Sequence, residues 1–206
     1  MNHSVDLQEL ARTPVAEASF TVLDLETTGG APPDHKITEI AAYRIDGLEV
    51  TDEYQTLVNP ERSLPSFITK LTGISAKMLL DKPPSRDVLP GLLEFVGDTV
   101  LVAHHSDFDR KFLDNELELA GLEPLGNTDL CTCRLARRIL PWLPSKGLGG
   151  LAAFFGVEIV SRHRAAADAL AASRLLLIFL DYLEERGLAT LEEVLLFQYG
   201  ELEYKR

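Results

Sequence analysis

Two carboxylates separated by one residue lie near the end of the first strongly apolar segment of the chain. That segment starts at Phe20, and Leu25 separates Asp24 from Glu26. Because side chains alternate between the two faces of a β-strand, both carboxylates should lie on one face. Like charges side by side are unfavourable unless a proton or cation intervenes, and hard divalent ions such as Mg²⁺ prefer carboxylate oxygens. Taken alone, the pair fits a solvated strand end, and a metal site is the alternative that further acidic groups would have to support.

A turn rich in hydroxyl groups follows this pair. Thr27 and Thr28 supply two hydroxyls, and Gly29 supplies a backbone position without a side chain. Such a turn suits the close approach of a phosphate or a sugar. Taken alone, it also fits an ordinary chain reversal.

A second acidic group occurs where a short apolar strand, predicted over residues 99–103, gives way to a helix, predicted from Asp107 to Ala120. Acidic residues stabilise the start of a helix, so Asp107 is expected to be a first-turn or capping residue. Asp109 follows Phe108 and precedes an apolar ridge. We expect it to reach over the carboxyl edge of the sheet, where α/β enzymes commonly place their active sites.

The third combination is a histidine five residues before an aspartate. His163 stands at the entrance of a predicted helix, and Asp168 lies inside an Ala- and Leu-rich stretch of it. A carboxylate among small apolar residues needs a partner, and imidazole, whose charge changes near neutral pH, is suited to proton transfer. Separately, the histidine also fits a capping or surface group; it is the combination with the other acidic groups that indicates chemistry.

The elements that would position these groups are a small sheet followed mainly by helices. Strands are predicted at 20–25, 37–45, 49–58, 99–103 and 127–131, and the second and third form a hairpin through Asp46-Gly47. Helices are predicted at 67–71, 76–80, 85–96, 107–120, 134–139, 148–155, 165–185 and 190–199. In the helix over 107–120, one buried face is expected to contain Phe108, Phe112, Leu113 and Leu119. The pattern predicts an α/β fold with a central sheet flanked by helices.

Composition restricts the class of protein. The 206 residues are 46% hydrophobic and 25% charged, values typical of a globular chain with one core. A net charge of −12 and a pI near 4.8 argue against the broad basic surface of a non-specific DNA-binding module. Acidic groups concentrated where divalent metals neutralise them remain compatible with nucleic-acid chemistry.

No membrane span or exported precursor is expected. The apolar stretch from Leu175 to Leu180 is far shorter than the roughly 20 residues that cross a bilayer, and the amino terminus lacks the basic start and long apolar segment of a secretory signal. We therefore expect a cytoplasmic protein. Cys131 and Cys133 would share one face of a strand and are expected to be buried small residues, because a structural zinc needs four nitrogen or sulfur ligands.

Three motifs, in this order, resemble those of the DnaQ-like DEDDh 3′→5′ exonucleases, which include proofreading subunits and domains of bacterial replicative polymerases. They are Asp24-Leu-Glu-Thr-Thr-Gly29, Val102-Ala-His-His-Ser-Asp-Phe-Asp109 and His163-Arg-Ala-Ala-Ala-Asp168. The segments Ile68 to Ile74 and Asn127 to Leu130 are also similar to family segments. The likeness is nearest to polymerase III proofreading domains and epsilon-like proteins.

This resemblance spans about residues 19 to 183 and implies a ribonuclease H-like fold with a central mixed five-stranded sheet. We expect a single exonuclease domain over 1–206. It would consist of a leader over 1–18, the family core over 19–183 and a C-terminal helical extension over 184–206.

The resemblance also implies the chemistry. Its catalytic set is Asp24, Glu26, Asp109, His163 and Asp168. The four carboxylates would bind two divalent ions, Mg²⁺ or Mn²⁺, about 4 Å apart, and the histidine would act as general base. The reaction would release nucleoside 5′-monophosphates from single-stranded 3′ ends, of DNA rather than RNA, in proofreading or repair and with a DNA polymerase as candidate partner.

Residues expected to hold the terminal nucleotide are Thr27, Thr28, Leu71, Thr72, Ile74, His105 and Phe108. Family members commonly have Asn where this chain has His105, so contacts around Asp109 are expected to differ. Two alternatives stay open at this stage. One is a 3′→5′ exonuclease that acts on RNA, and the other is a non-catalytic module that contacts a polymerase through the helix from Leu191 to Tyr199.

Overall fold

The computed structural model describes residues 12–204, so most of the predicted leader lies outside the described residues. The five strands are β1 Phe20–Thr27, β2 Ile37–Asp46, β3 Glu49–Leu57, β4 Val100–Ala103 and β5 Asp129–Cys131. They form one sheet in the order β3-β2-β1-β4-β5. β2 is antiparallel to both β1 and β3, whereas β4 is parallel to β1 and β5 to β4. The expectation of a mixed five-stranded sheet is confirmed.

Eight helices flank this sheet among the described residues. They are α1 Ser66–Thr72, α2 Ala76–Leu79, α3 Ser85–Val96, α4 Ser106–Ala120, α5 Thr132–Ile139, α6 Leu148–Phe155, α7 Ala165–Glu184 and α8 Leu191–Tyr199. Each lies where the sequence predicts a helix, with ends within one or two residues. Gly121 shows why α4 ends there: its φ of 68° is left-handed, a conformation that glycine adopts without steric cost.

The two faces of the sheet belong to different hydrophobic clusters. Phe20 and Val22 pack in the cluster that contains Phe179 of α7. Leu23 and Leu25 pack in the cluster formed with α3 and α4. Even-numbered residues of β1 therefore face α7, and Asp24 and Glu26 continue that face toward the carboxyl end of the strand.

The buried face of α4 differs from the predicted one. Its buried residues include Asp109, Phe112, Leu113, Glu116 and Leu117. Phe108 and Leu119 are 36% and 64% exposed, so their placement in the buried face was wrong. The observed buried face is rotated relative to the predicted one, because it includes Asp109, whose carboxylate lies at the edge of the sheet. Buried Glu116 has an ion pair with Lys36 at 3.0 Å.

Helix α8 covers the outer edge of β5. The Gln198 side chain donates to the Asp129 carbonyl at 2.9 Å and accepts from the Cys131 backbone N–H at 3.0 Å, which satisfies edge groups that would otherwise be open to pairing. Two residues of this helix, Val194 and Phe197, are fully buried. Phe197 is thus a core residue and contributes no surface to a partner-binding face.

The two cysteines do not share a strand. Cys131 ends β5, whereas Cys133 lies in α5, because the chain turns from strand to helix at Thr132. Both are buried and free, so their expected burial is confirmed and their common strand face was wrong. Separately, none of the helices within residues 12–204 is long and apolar enough to cross a membrane.

Candidate active site

Asp24 and Glu26 lie side by side at the carboxyl end of β1, both half-buried. The register of the antiparallel pair places Glu26 directly opposite Glu39 of β2. Three carboxylates therefore meet at one end of the two strands. The alternation expected for a strand has brought the first two together.

Asp109 reaches this group from the first turn of α4. Its carboxyl is buried and lies close to the backbone of Leu25. α4 follows β4, which pairs with β1, so the helix begins beside the end of β1. This topology brings residues distant in sequence to one edge of the sheet.

Asp168 and His163 approach from the amino end of α7. One oxygen of Asp168, Oδ2, accepts from the His163 backbone N–H at 3.1 Å. The other, Oδ1, is buried without a hydrogen-bond partner. Ligand atoms of Glu26, His163 and Asp168 all lie within 4.8 Å of one another. His163 has a φ of 62°, an uncommon left-handed conformation for a residue with a side chain.

A buried ion pair that was not predicted from the sequence holds the start of α7. Glu39, only 6% exposed, accepts from the Arg164 guanidinium at 2.6 Å and from the Ala165 backbone N–H at 2.9 Å. A charged residue between Thr38 and Ile40 of an apolar strand was the available signal. It shows that Glu39 needs a partner, but its partner lies 125 residues away.

Burial raises the pKa of four of these carboxyls, and the charges of neighbouring carboxylates add to this at Asp24, Glu26 and Asp109. The pKa of Asp24 lies well above its usual value because of burial and then the charges of Asp109 and Glu26. Burial, then the charge of Asp168, raises the pKa of Glu26 to about 7. Burial raises the pKa of Asp109 to about 8, and burial also raises that of Asp168. Such carboxylates, with one buried oxygen lacking a partner, fit hard divalent cations.

These groups open onto a cavity of about 660 Å³, large enough for a small ligand. Asp24, Asp109, His163 and Asp168 line it, and Glu26 adjoins the last two. Four further lining residues are basic: Lys111, Arg134, Arg137 and Arg162. The cavity therefore carries both signs of charge.

Of the residues predicted to hold a nucleotide, His105 and Phe108 line this cavity, both exposed. Thr27 and Thr28 are buried, and their hydroxyls are engaged in the turn. Thr27 Oγ1 donates to the Gly29 carbonyl at 2.6 Å, and Thr28 Oγ1 accepts from the Lys36 N–H at 3.0 Å.

The ring of His35 packs closely against Gly29. A Cβ at this position would lie 2.2 Å from the ring of His35. The space that the glycine leaves is therefore occupied by an imidazole.

The remaining predicted nucleotide contacts lie on or just after α1, outside the lining of this cavity. Leu71 is 49% exposed, whereas Ile74 is fully buried. The Thr72 hydroxyl donates to the Ile68 carbonyl at 3.0 Å and accepts from the Ile74 N–H at 3.0 Å. Leu71 is thus the member of this group with a free surface.

Asp107 is in the first turn of α4, as predicted, and pairs with Arg134 at 2.5 Å. The neighbouring His104 is buried and bonded through both ring nitrogens, to Thr132 Oγ1 and the Lys146 carbonyl, each at 2.9 Å. Burial lowers the pKa of His104 to about 4, so the ring is neutral at pH 7.

One group of nitrogen and sulfur ligands also gathers beside the cavity. Atoms of His104, His105 and Cys133 lie within 4.8 Å of one another. Three ligands are one fewer than the tetrahedral set of a structural zinc.

Comparison with known sequences gives consistent matches. The profile of the family described as Exonuclease (RNase T) matches residues 21–176. The DNA polymerase III subunit epsilon of Aquifex aeolicus is 36% identical over 189 residues, which cover 92% of this chain and 88% of that protein. The PolC-type DNA polymerase III of Caldanaerobacter subterraneus is 39% identical over 178 residues, 86% of this chain but 13% of that polymerase.

Two solved structures share the fold. Exonuclease X, in complex with 5′ overhanging duplex DNA, superposes with a TM-score of 0.71 at 24% identity, over 87% of this chain and 99% of that one. Exonuclease I superposes with a TM-score of 0.72 at 20% identity, over 82% of this chain and 44% of that one. The expected ribonuclease H-like fold is confirmed.

Proposed function

This chain belongs to the exonuclease family, and on that premise we propose that it is a metal-dependent 3′→5′ exonuclease that releases nucleoside 5′-monophosphates from DNA. One observation carries the proposal: four carboxylates from β1, α4 and α7 converge with one imidazole beside a single cavity. These residues are Asp24, Glu26, Asp109, Asp168 and His163.

In this proposal Asp24, Glu26 and Asp168 hold two divalent ions, Mg²⁺ or Mn²⁺, directly, and Asp109 completes the set directly or through water. The raised pKa values support this assignment, because cations would relieve the repulsion among the carboxylates. When bound, the ions would stabilise the attacking and leaving oxygens of the displacement.

His163 acts as the general base in this reaction, removing a proton from the attacking water. Its backbone N–H is bonded to Asp168, which ties the segment carrying the imidazole to the carboxylate group. Its ring nitrogen lies within 4.8 Å of a carboxylate oxygen of Glu26 and one of Asp168. Proton transfer requires such closeness to the reacting atoms.

The terminal nucleotide binds in the cavity with its base against Phe108, which is exposed there beside His105. Stacking on an aromatic ring holds any base, as a sequence-indifferent enzyme requires. Leu71 supplies a second apolar surface. Thr27, Thr28, Thr72 and Ile74 act indirectly, by fixing the turn after β1 and the end of α1. Their threonine hydroxyls and the N–H groups of Thr28 and Ile74 are engaged in hydrogen bonds, and Ile74 is buried.

We extend the proposal to a role in proofreading or repair, with a DNA polymerase as partner. The similarity to an epsilon subunit over 92% of this chain supports this role. We also propose that residues 1–206 form one exonuclease domain. Because the chain spans 13% of the PolC-type relative, no activity of the rest of that polymerase is carried over.

Single-stranded DNA and RNA, each labelled at the 5′ or the 3′ end, test the proposal in Mg²⁺ or Mn²⁺. We expect 5′-labelled DNA to shorten as a ladder and 3′-labelled DNA to release labelled mononucleotide at once. Early release of a 5′ mononucleotide would refute the direction. Faster digestion of RNA would make RNA the substrate, and undiminished activity in excess EDTA would exclude the metal-dependent mechanism.

A further inference from the structure

Three basic residues of the cavity have no carboxylate partner within residues 12–204. They are Lys111, Arg137 and Arg162, all exposed. The fourth, Arg134, instead pairs with Asp107. The protein has 32 acidic and 20 basic residues. Three cations without carboxylate partners beside the acidic residues of the site are therefore unexpected for a chain with this net negative charge. A cavity with such a lining suits a polyanion whose reacting end lies at the acidic group.

The three cations come from separate parts of the chain and line one cavity. Lys111 belongs to α4, Arg137 to α5, and Arg162 precedes α7. All three line the cavity that is also lined by His105 and by Asp168.

The side chain of Arg162 packs against a glycine of α6. Its guanidinium lies over Gly149, where a Cβ would be 3.0 Å from the Arg162 Cζ. This separation is tighter than ordinary van der Waals contact. The glycine thus provides the space in which the guanidinium of Arg162 lies at the cavity.

We propose that Arg137, Arg162 and Lys111 form a phosphate-binding wall that holds non-scissile phosphates of a nucleic-acid strand. The inference rests on the proposed function, since it assumes that the 3′-terminal phosphodiester lies at the four carboxylates of the candidate active site. One guanidinium group can bind two oxygens of a phosphate at once. Proteins that bind single strands combine a basic groove with stacking surfaces. Phe108, exposed in the same cavity, supplies the stacking surface.

Two substrates distinguish phosphate binding by these basic residues from the hydrolysis step itself. The p-nitrophenyl ester of thymidine 5′-monophosphate has one phosphodiester and no further phosphate, whereas oligothymidylate has many. For Arg137→Gln and Arg162→Gln, we expect the ratio of kcat/KM on oligothymidylate to that on the ester to fall roughly tenfold, the size of one charge-assisted hydrogen bond. Lys82→Gln, which removes an exposed cation outside the cavity, should leave the ratio unchanged.

Salt dependence gives a second readout that does not require turnover. Binding of fluorescent oligothymidylate, measured by anisotropy in Ca²⁺, should become less sensitive to salt in each wall variant. The slope of log affinity against log salt should decrease by about 0.7 for each phosphate that the variant no longer neutralises.

The possible failures are distinct. Hydrolysis of the ester with unchanged ratios and salt slopes in the Arg137 and Arg162 variants would overturn the wall alone. If the wild-type protein cleaves neither substrate, the proposed function fails, and the anisotropy slopes still decide whether these residues bind phosphates. Circular dichroism of each variant checks that the fold is kept.

Discussion

Glu39 lies directly opposite Glu26 in the pairing of β1 with β2, and the guanidinium of Arg164 binds Glu39 at 2.6 Å. Glu39 also accepts from the backbone N–H of Ala165, the first residue of α7. One buried carboxylate thus joins the sheet to the start of the helix that carries Asp168. The two glutamates occupy paired positions on adjacent strands, but the ion pair with Arg164 gives Glu39 a different role.

Replacing Glu39 should destabilise the protein and lower its activity together. In Glu39→Ala the Ala165 N–H is left without its acceptor and Arg164 without its partner, and we expect the free energy of unfolding to fall by about 1–3 kcal/mol. Glu39→Gln keeps an acceptor for the N–H and should be destabilised less. Urea unfolding and kcat, measured on both variants, check this order; equal effects would show that the N–H bond to Glu39 does not matter.

Removing the imidazole of His163 should lower kcat by about 10²-fold or more while the fold is kept, because general-base assistance is typically worth that much. His163→Ala places alanine at a φ of 62°, which is unfavourable for it. His163→Asn is the matched variant, since asparagine tolerates left-handed backbone. We expect both to lose activity and the asparagine variant to be the more stable. Near wild-type kcat in His163→Asn would remove the histidine from the mechanism.

The order of strands and helices could be predicted from the sequence because it depends on local patterns. Apolar alternation identified β1 and the hairpin that follows it, and the 3.6-residue period identified α4 and α7. The same alternation placed Asp24 and Glu26 together. Their convergence with Asp109 and Asp168 was inferred from a resemblance, since no spacing in one sequence gives the distance between three separate elements.

What escaped prediction depends on tertiary contacts. The buried face of α4 is shifted because Asp109 is turned toward β1, and an amphipathic pattern cannot show that a carboxylate will be buried. The role of Glu39 depends on Arg164, which is 125 residues away. Gly29 was interpreted as space for a ligand, yet the ring of His35 lies against it.

The packing of His35 against Gly29 predicts different outcomes for two adjacent glycines. In Gly29→Ala the new Cβ would lie 2.2 Å from the His35 ring, whereas a Cβ at Gly30 has no heavy atom within 4 Å. The His35 side chain must move in the first variant, and we expect the unfolding free energy to fall by about 1–3 kcal/mol. Gly30→Ala should change it by less than about 0.5 kcal/mol. Urea unfolding of the pair measures both, and equal stabilities would contradict the close approach of the ring.

The raised carboxyl pKa values predict how the stability of the metal-free protein depends on pH. The pKa of Glu26 rises from 4.5 to about 7, and that of Asp109 from 3.8 to about 8. Between these limits the carboxyls bind more protons in the folded than in the unfolded state, so they lower the free energy of unfolding as pH rises. The lowered pKa of His104 acts in the opposite direction between about pH 4 and pH 6.5, but it is one group against four raised carboxyls. In EDTA we therefore expect stability to decrease from about pH 4 to about pH 8 and then to level off.

Asp24→Asn is the matched variant for this prediction, because it removes one charge from the group while keeping the size of the side chain. We expect it to be inactive, to be more stable than the wild type at pH 8 in EDTA, and to show a shallower pH dependence. Mg²⁺ should stabilise the wild type most at alkaline pH, since ligands that bind the folded state stabilise it, and should stabilise the variant less. Urea unfolding across this pH range, with and without Mg²⁺, measures all of these effects. Stability that rises between pH 5 and pH 8 in EDTA, or an equal slope in Asp24→Asn, would show that the carboxylates do not repel one another as their positions indicate.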